Sequence, residues 1–403
     1  MLLTVSKRLE FSASRRLHVP GWTAAENLAA FGPESAARYG TGRNYVAYFV
    51  FTGEVNEANG MLVNISEIKA RIERVLHAGF DHKFLNEDHP RFREVAPTSE
   101  NVARQLFAEV DPLFGDLEAK LVACHLVETP ERSATIYAGG VSESHYWLEF
   151  SAARQTMSPN LSAAENDALF GSAAAPHGHG HHYRARLTFR GEPEPPAIPQ
   201  AELAQCLESL REELDHKHLN HEVLGLTNRS KTTESLAEYL HRRVAAALPI
   251  HRVRLHERED FFAEYWRGGN YFLGMRHAFS AAHRLHAPNL PAAANVELYG
   301  KCNNPRGHGH RYLTEATIGG PYDERSGTLY DFLALRDGID GALRPWQDIH
   351  LDFETEEFRE EPSTGENIVR ALWPKFNARL DDRLTRLRLW ETPNNRFTLR
   401  RQG

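Results

Sequence analysis

The chain is poor in cysteine, with only Cys124, Cys206 and Cys302 in 403 residues and no paired spacing among them. That excludes a disulfide scaffold and suits free thiols in a reducing cytoplasm. It also lacks any apolar run approaching the roughly 20 residues that cross a bilayer. Its start, "MLLTVSKRLEF", alternates like a strand instead of forming a signal-peptide core, so a cytoplasmic location is expected. Positive charge is scarce as well. Lys and Arg total 47 against 54 Asp and Glu, the net charge is -7, and no dense basic run stands out, which argues against a nucleic-acid-coating surface. What remains is a globular composition, 41% hydrophobic and 25% charged, over a length that suggests about two to four domains.

Self-comparison divides that length into three. "FSASRRLH" from Phe11, "FSAARQTM" from Phe150 and "FSAAHRLH" from Phe279 each lead through an Asn-containing acidic segment to a Gly-rich turn ending in Tyr45, Tyr183 or Tyr312. Then come "FDHKFLN" (80–86), "LDHKHLN" (214–220) and "WQDIHLD" (346–352), followed by "TSEN", "TTES" and "TGEN", and a closing strand with Glu128, Glu257 or Glu391. Landmarks recurring in one order mark internal repeats. Within a unit, β-rich alternation as in "YVAYFVFTGEV" predicts a hairpin, and Ile65, Ile68, Ile72, Val75 and Leu76 at helical spacing predict a helix capped near Asn64 or Ser66. Leu203, Leu207, Leu210 and Leu214 repeat that helix, and a second one starts at each Thr/Ser-rich segment. Two strands end the unit, giving an α+β ββααββ pattern with one sheet face under two helices. Gly-rich joints place the units at 1–140, 141–267 and 268–403, and "RGEPEPPAIPQ" (190–200) reads as a connection inside the second.

The third unit carries the densest chemistry. In "KCNNPRGHGHRY" (301–312), His308 and His310 at a strand spacing of two point to one side, and His283 lies on the preceding strand. Three histidines with an open position make a catalytic zinc site. The competing readings are scattered surface histidines, or copper or iron on the same ligands. Cys302, six positions before His308, is a base or nucleophile beside a cation, a fourth ligand that closes the site, or a small core residue. The Asp-His pairs of "DHK" suit a proton shuttle, although helix C-termini attract such residues anyway. Glu391, beside Thr392, suits a bidentate grip on a guanidine-like N–C–N edge, or pairing with an arginine.

These residues resemble the 6-pyruvoyl-tetrahydropterin synthase family. "FSAAHRLH", "YGKCNNPRGHGHRY" and "LWETPNN" carry the likeness nearly continuously from 272 to 399, and it extends more faintly through all three units. The resemblance implies three tandem tunnelling-fold (T-fold) domains whose sheets join into a pseudo-trimeric antiparallel β-barrel with helices outside, and a homodimer of such chains. It implies Zn2+ on His283, His308 and His310, Cys302 as base, and Glu391 holding the pterin, with Thr392 and Glu366 as further substrate contacts. The implied activity is that of a lyase converting 7,8-dihydroneopterin triphosphate to 6-pyruvoyl-tetrahydropterin with loss of triphosphate. The alternatives are 6-carboxy-tetrahydropterin synthesis, on the deazapurine route, and a non-catalytic pterin-binding protein.

The units depart from that pattern in complementary ways. In the first, Arg15, Thr41 and Arg43 stand where the histidines belong and Glu34 where the cysteine does; in the second, Arg154 and Ala173 replace a histidine and the cysteine, while His179 and His181 survive. His179 and His181 are expected to recruit weaker metal with His177 or His182. The third unit lacks the Asp-His pair that the resemblance takes from a neighbour, since ungapped alignment puts Gln347 and Asp348 there; a gapped one would use Asp348 and His350. Asp81 and His82, and Asp215 and His216, keep the pair. If the lost ligands of the first unit and the lost pair of the third share one interface, the second unit is the donor, so Asp215 and His216 are expected ahead of Asp81 and His82.

Overall fold

The computed structural model describes residues 1–191 and 198–402, so the middle of the Pro-rich connection lies outside the described residues. The first unit holds β1 (Leu2–Arg15), β2 (Thr41–Thr52), the short β3 (Lys83–Phe84), β4 (Lys120–Thr129) and β5 (Arg132–Tyr137). The second repeats this as β6 (Ser142–Arg154), β7 (His179–Gly191), β8 (Lys217–His218), β9 (Ile250–Arg258) and β10 (Phe261–Trp266). The third does so as β11 (Asn270–His283), β12 (His308–Gly319), β13 (Ile349–His350), β14 (Leu384–Thr392) and β15 (Asn395–Arg400).

The long strands form one closed antiparallel ring. Within a unit the order is first, second, fourth, fifth, and units join where β5 meets β6, β10 meets β11 and β15 meets β1. The expected α+β barrel of three tandem units is therefore what the chain builds. Alternation along each strand sends one set of side chains to the helices and the other into the barrel. On β12, Tyr312, Ala316 and Ile318 join the hydrophobic core, whereas Glu315 and Thr317 face inward. The inward face is polar and ion-paired: Arg254 and Arg388 each reach Glu315 at 2.7 Å, and Arg252 reaches Glu143 at 2.6 Å. Burial opposes ionisation of Glu315, but Arg254 and Arg388 outweigh it and hold its carboxyl well below the usual range.

The helices pack the outward face as their periodicity predicts. Helix Ile65–Gly79 is capped by Asn64, whose side chain accepts the N–H groups of Ser66 and Glu67, and it buries Ile68, Ile72 and Leu76. Thr98, Thr232 and Thr364 cap the second helix of each unit. Three further helices, Ala24–Phe31, Ala163–Phe170 and Ala292–Tyr299, fill the acidic segments, for which the sequence reading gave no helix. Their signal was present: Thr23 with Glu26, and Ser162 with Glu165, form capping boxes. The recurrent asparagine there is structural. Asn295 Oδ1 accepts the Ala287 N–H at 2.7 Å and its Nδ2 donates to the carbonyls of Ala287 and Leu290, both at 3.0 Å.

Trp346 is the largest fully buried side chain of the third unit, its ring centroid 5.4 Å from that of Phe358 and 6.3 Å from that of Phe279. Trp346→Ala should cost about 3–5 kcal/mol, the range for emptying an aromatic core position, measured as a lowered denaturant midpoint. Among the described residues no helix is long and apolar enough to cross a membrane.

Candidate active site

His283 ends β11, and His308 and His310 open the paired strand β12 on the same, helix-facing side. Their ligand atoms lie within 4.8 Å of one another, with His283 Nε2 3.1 Å from His308 Nε2. His283 is fully buried, and its Nδ1 sits 2.9 Å from the Ser363 carbonyl, which fixes Nδ1 as the protonated nitrogen and leaves Nε2 to ligate. Burial lowers its pKa to about 3, only partly offset by that bond, so the ring is neutral, as a metal ligand must be. His310 Nε2 is buried without a hydrogen-bond partner. Three convergent imidazoles with an orphaned ring nitrogen fit a zinc ion.

Glu391, at the end of β14, brings its carboxylate 3.6 Å from His283 Nε2 and 3.9 Å from His310 Nε2. Cys302 lies in the turn Gly300–Asn303 after the extra helix, held by its carbonyl, which accepts the Leu285 N–H at 3.0 Å. Burial and then the charge of Glu391 raise its thiol pKa, against the pull of Lys301. Thr392 ends β14, its hydroxyl accepting the Asn394 N–H of the hairpin turn at 3.3 Å. Glu366 is buried and accepts the Leu62 N–H of the first unit at 3.0 Å; burial pushes its pKa up to about 8. Around it, Thr364 donates to Gly60 O and Tyr299 to Asn59 O, both at 2.6 Å. Gly60, at φ 68°, is required there, since a Cβ would lie 2.6 Å from Pro362. The segment 59–62 and Ser363 were invisible to sequence reasoning because both act across long separations, although 59–62 has a counterpart in the third unit, where Gly327 O accepts from Thr232 and the Leu329 N–H donates to Glu234.

The equivalent place in the first unit is plugged by arginine. Arg15 pairs with Glu34 at 2.6 Å and also with Glu128, Arg43 reaches Glu128 at 3.2 Å and pairs with Glu34, and Ser99 donates to Glu128. In the second unit, the third member beside His179 and His181 is Glu257, not the expected His177 or His182. Glu257 is already occupied by Arg154, by Thr233 and by His181 Nε2 at 3.0 Å. A guanidinium in the place of the first histidine does not suit a cation site.

The Asp-His pairs occupy a repeated corner. Asp81 accepts the Ser12 N–H at 2.9 Å while the His82 N–H donates to Ser12 O at 2.6 Å; Asp215 and His216 do the same with Ser151, at 2.7 and 2.6 Å. Gln347 and Asp348 reproduce this with Ser280, at 3.1 and 2.7 Å, and His82, His216 and Asp348 share φ of 57°, 57° and 62°. The ungapped alignment is thus the structural one. Asp352, two residues past His350, is instead a tether, accepting the Arg284 N–H at 2.7 Å as Asn86 and Asn220 accept those of Arg16 and Gln155.

Strand order decides which unit each pair faces. Because β2 takes one edge of β1 from Thr4 to Arg15, β3 must lie on the opposite edge, the one that β15 of the third unit occupies from Leu2 to Lys7. Asp81 and His82 therefore face the third unit. By the same reasoning β8 lies on the β6 edge shared with β5, so Asp215 and His216 face the first unit and its plugged site. Gln347 and Asp348 face the second. The lost ligands and the lost pair belong to different interfaces, and one interface of the three, third unit to first, joins an intact histidine cluster to an intact pair. Both imidazoles are 83% exposed, with Nδ1 3.0 Å (His82) and 2.8 Å (His216) from their aspartates.

The family described as 6-pyruvoyl tetrahydropterin synthase matches the chain three times, over residues 4–139, 147–268 and 273–402. A 6-pyruvoyl tetrahydrobiopterin synthase of Drosophila melanogaster is 39% identical over 132 residues, 32% of this chain and 79% of the relative. The enzyme of that name from Homo sapiens is 34% identical over 122 residues, 30% of this chain and 84% of the relative. A solved structure, the 6-pyruvoyl tetrahydropterin synthase of Caenorhabditis elegans, aligns with a TM-score of 0.33 and 34% identity over 34% of this chain and 100% of its own. With three successive matches across nearly its whole length, the chain belongs to the 6-pyruvoyl tetrahydropterin synthase family.

Proposed function

We propose that the chain is a zinc-dependent lyase that converts 7,8-dihydroneopterin triphosphate to 6-pyruvoyl-tetrahydropterin with loss of triphosphate, working at one site per chain. The observation that carries this reading is the convergence of His283, His308 and His310 beside Glu391, with an intact Asp-His pair on the strand edge facing the same unit. Zinc, when bound, would supply positive charge against the negative charge developing on the substrate side-chain oxygen. Cys302 takes a carbon-bound side-chain proton, His82 held by Asp81 exchanges the hydroxyl proton, and Glu391 with Thr392 and Glu366 fixes the ring. Asp81–His82 replaces Asp215–His216 in this role because of the edge it occupies. Two rings stacked as a homodimer, in the cytoplasm, complete the proposal.

The test is incubation of the purified protein with the triphosphate and identification of the product. The expected result is 6-pyruvoyl-tetrahydropterin with release of triphosphate; 6-carboxy-tetrahydropterin, or binding without turnover in the presence of zinc, would overturn it. Metal analysis should find about one zinc per chain, lost in His310→Ala, because among the described residues only the third unit brings three imidazoles together.

A further inference from the structure

We propose that the lumen of the barrel holds a multiply charged oxyanion, a phosphate or a short polyphosphate, at a site built by Arg186 and Arg254 of the second unit and Arg388 and Arg396 of the third. Strand alternation puts these side chains inside, because their neighbours Leu187, Leu255, Leu387 and Phe397 belong to the core on the helix side. The acids at hand do not balance them. Glu315 is shared among Arg254, Arg276 and Arg388, at 2.7, 2.9 and 2.7 Å, and Glu264 takes Arg386 at 3.0 Å. Arg186 and Arg396 are left without an ion pair among the described residues, and the Nε of each is buried without a hydrogen-bond partner, as are those of Arg254 and Arg388. Unpaired buried donors call for an acceptor. In the first unit the places of Arg254 and Arg186 are taken by His125 and Tyr48, so the charge comes from the other two units alone.

The two unpaired arginines reach one place from opposite arcs of the ring. β7 and β15 each lie three strands from β4, and the imidazole of His125 on β4 is lowered to about 3 by burial and then by Arg186 and Arg396. Aromatic faces hold the guanidiniums in place. Phe262, whose ring fills the space that a Cβ on Gly274 would need, carries Arg254 at 3.4 Å from its centroid, and Arg396 lies 5.7 Å from the Tyr48 ring and 5.9 Å from that of Trp390. Stacking fixes the plane of a guanidinium and leaves its edge N–H groups for an acceptor. Burial and then neighbouring arginines push Arg186 down to about 10 and hold Arg388 well below the usual range, a cost that an anion would offset. A monocarboxylate brings one charge where two guanidiniums lack a partner; a phosphate group brings more, and its oxygens fit the guanidinium fork. Solvent reaches the site, since Arg388 keeps 15% of its side-chain surface and Arg184, two residues along β7 from Arg186, is 44% exposed.

The experiment is calorimetric titration and thermal unfolding of the zinc-loaded full chain with inorganic phosphate and, in a second arm, inorganic triphosphate, each against sodium chloride at equal ionic strength. One lumen anion per chain is expected, because each chain closes one barrel, with a Tm that rises with the oxyanion beyond the effect of chloride. Arg186→Met and Arg396→Met should each weaken binding about tenfold or more. Each also removes a buried charge that lacks an ion pair, so without added anion both variants should unfold at a higher temperature than the parent. Arg186→Lys, which keeps the charge and loses the fork, should bind between Arg186→Met and the parent. His310→Ala, which disrupts the zinc site, should keep the anion, separating the lumen from the third unit's own site. Tighter triphosphate than phosphate assigns the lumen to polyphosphates, and the reverse to a single phosphate. The proposal is overturned if neither oxyanion raises Tm more than chloride does, or if both methionine variants bind as the parent does.

Discussion

Replacing Cys302 by alanine should lower kcat by about 10²–10⁴, the usual worth of a positioned acid–base group, with zinc content unchanged. The structure separates these two readouts. The thiol is not part of the histidine cluster, and the turn that carries it is held through its backbone carbonyl, which alanine keeps. The thiol is half-buried and its pKa is raised first by burial and then by Glu391, so it needs a nearby cation to become a base. Cys302→Ser, which keeps a hydroxyl of higher pKa in the same place, should fall between alanine and the parent. If zinc is lost together with activity, Cys302 is a fourth ligand and the proposed base is wrong.

His82→Ala should likewise reduce kcat by about 10²–10⁴, and His216→Ala should stay within about a factor of two, as for an exposed surface position. Both imidazoles are equally exposed and equally paired with an aspartate, so nothing local distinguishes them. The difference is topological. His82, just before β3, lies on the strand edge facing the third unit, and His216, just before β8, lies on the edge facing the first unit, whose histidine positions are taken by the ion pairs of Arg15 and Arg43 with Glu34 and Glu128. Asp81→Asn should follow His82→Ala, because Asp81 both accepts the Ser12 N–H and orients the imidazole. Activity measured on the two histidine variants under identical zinc loading checks the assignment; loss at His216 with survival at His82 would return the role to the second unit.

How much of this was legible in the sequence depended on distance along the chain. The cluster was readable because β11 and β12 follow one another in the chain and pair with His283 opposite His308, even across the connection 284–307, and a spacing of two keeps His310 on the same side. The triple unit was readable because each repeat is local. The ungapped placement of Gln347 and Asp348 was also right, since that corner is a short-range hydrogen-bond motif. The unit that each Asp-His pair faces was not readable. It depends on which edge of β1 is free beyond β15, a relation between Leu2–Lys7 and Asn395–Arg400 at opposite ends of the polypeptide. Glu257 as neighbour of His179 and His181 was missed for a similar reason, because β7 and β9 are separated by the Pro-rich connection, β8 and the helices Gln200–Leu214 and Thr233–Ala245. The extra helices were missed for want of reading Thr23 with Glu26 as a start signal.

The seam where β15 meets β1 closes a ring whose three parts are encoded separately. In a ring of identical subunits every substitution appears at all interfaces at once, so an arginine placed on a ligand position would silence the whole assembly. Here each interface can drift alone. Arg15 and Arg154 could arise without touching His283, and Asp348 could replace a histidine without touching His82. Broken symmetry also removes redundancy: no second copy of the intact combination remains to mask a damaging change at that seam.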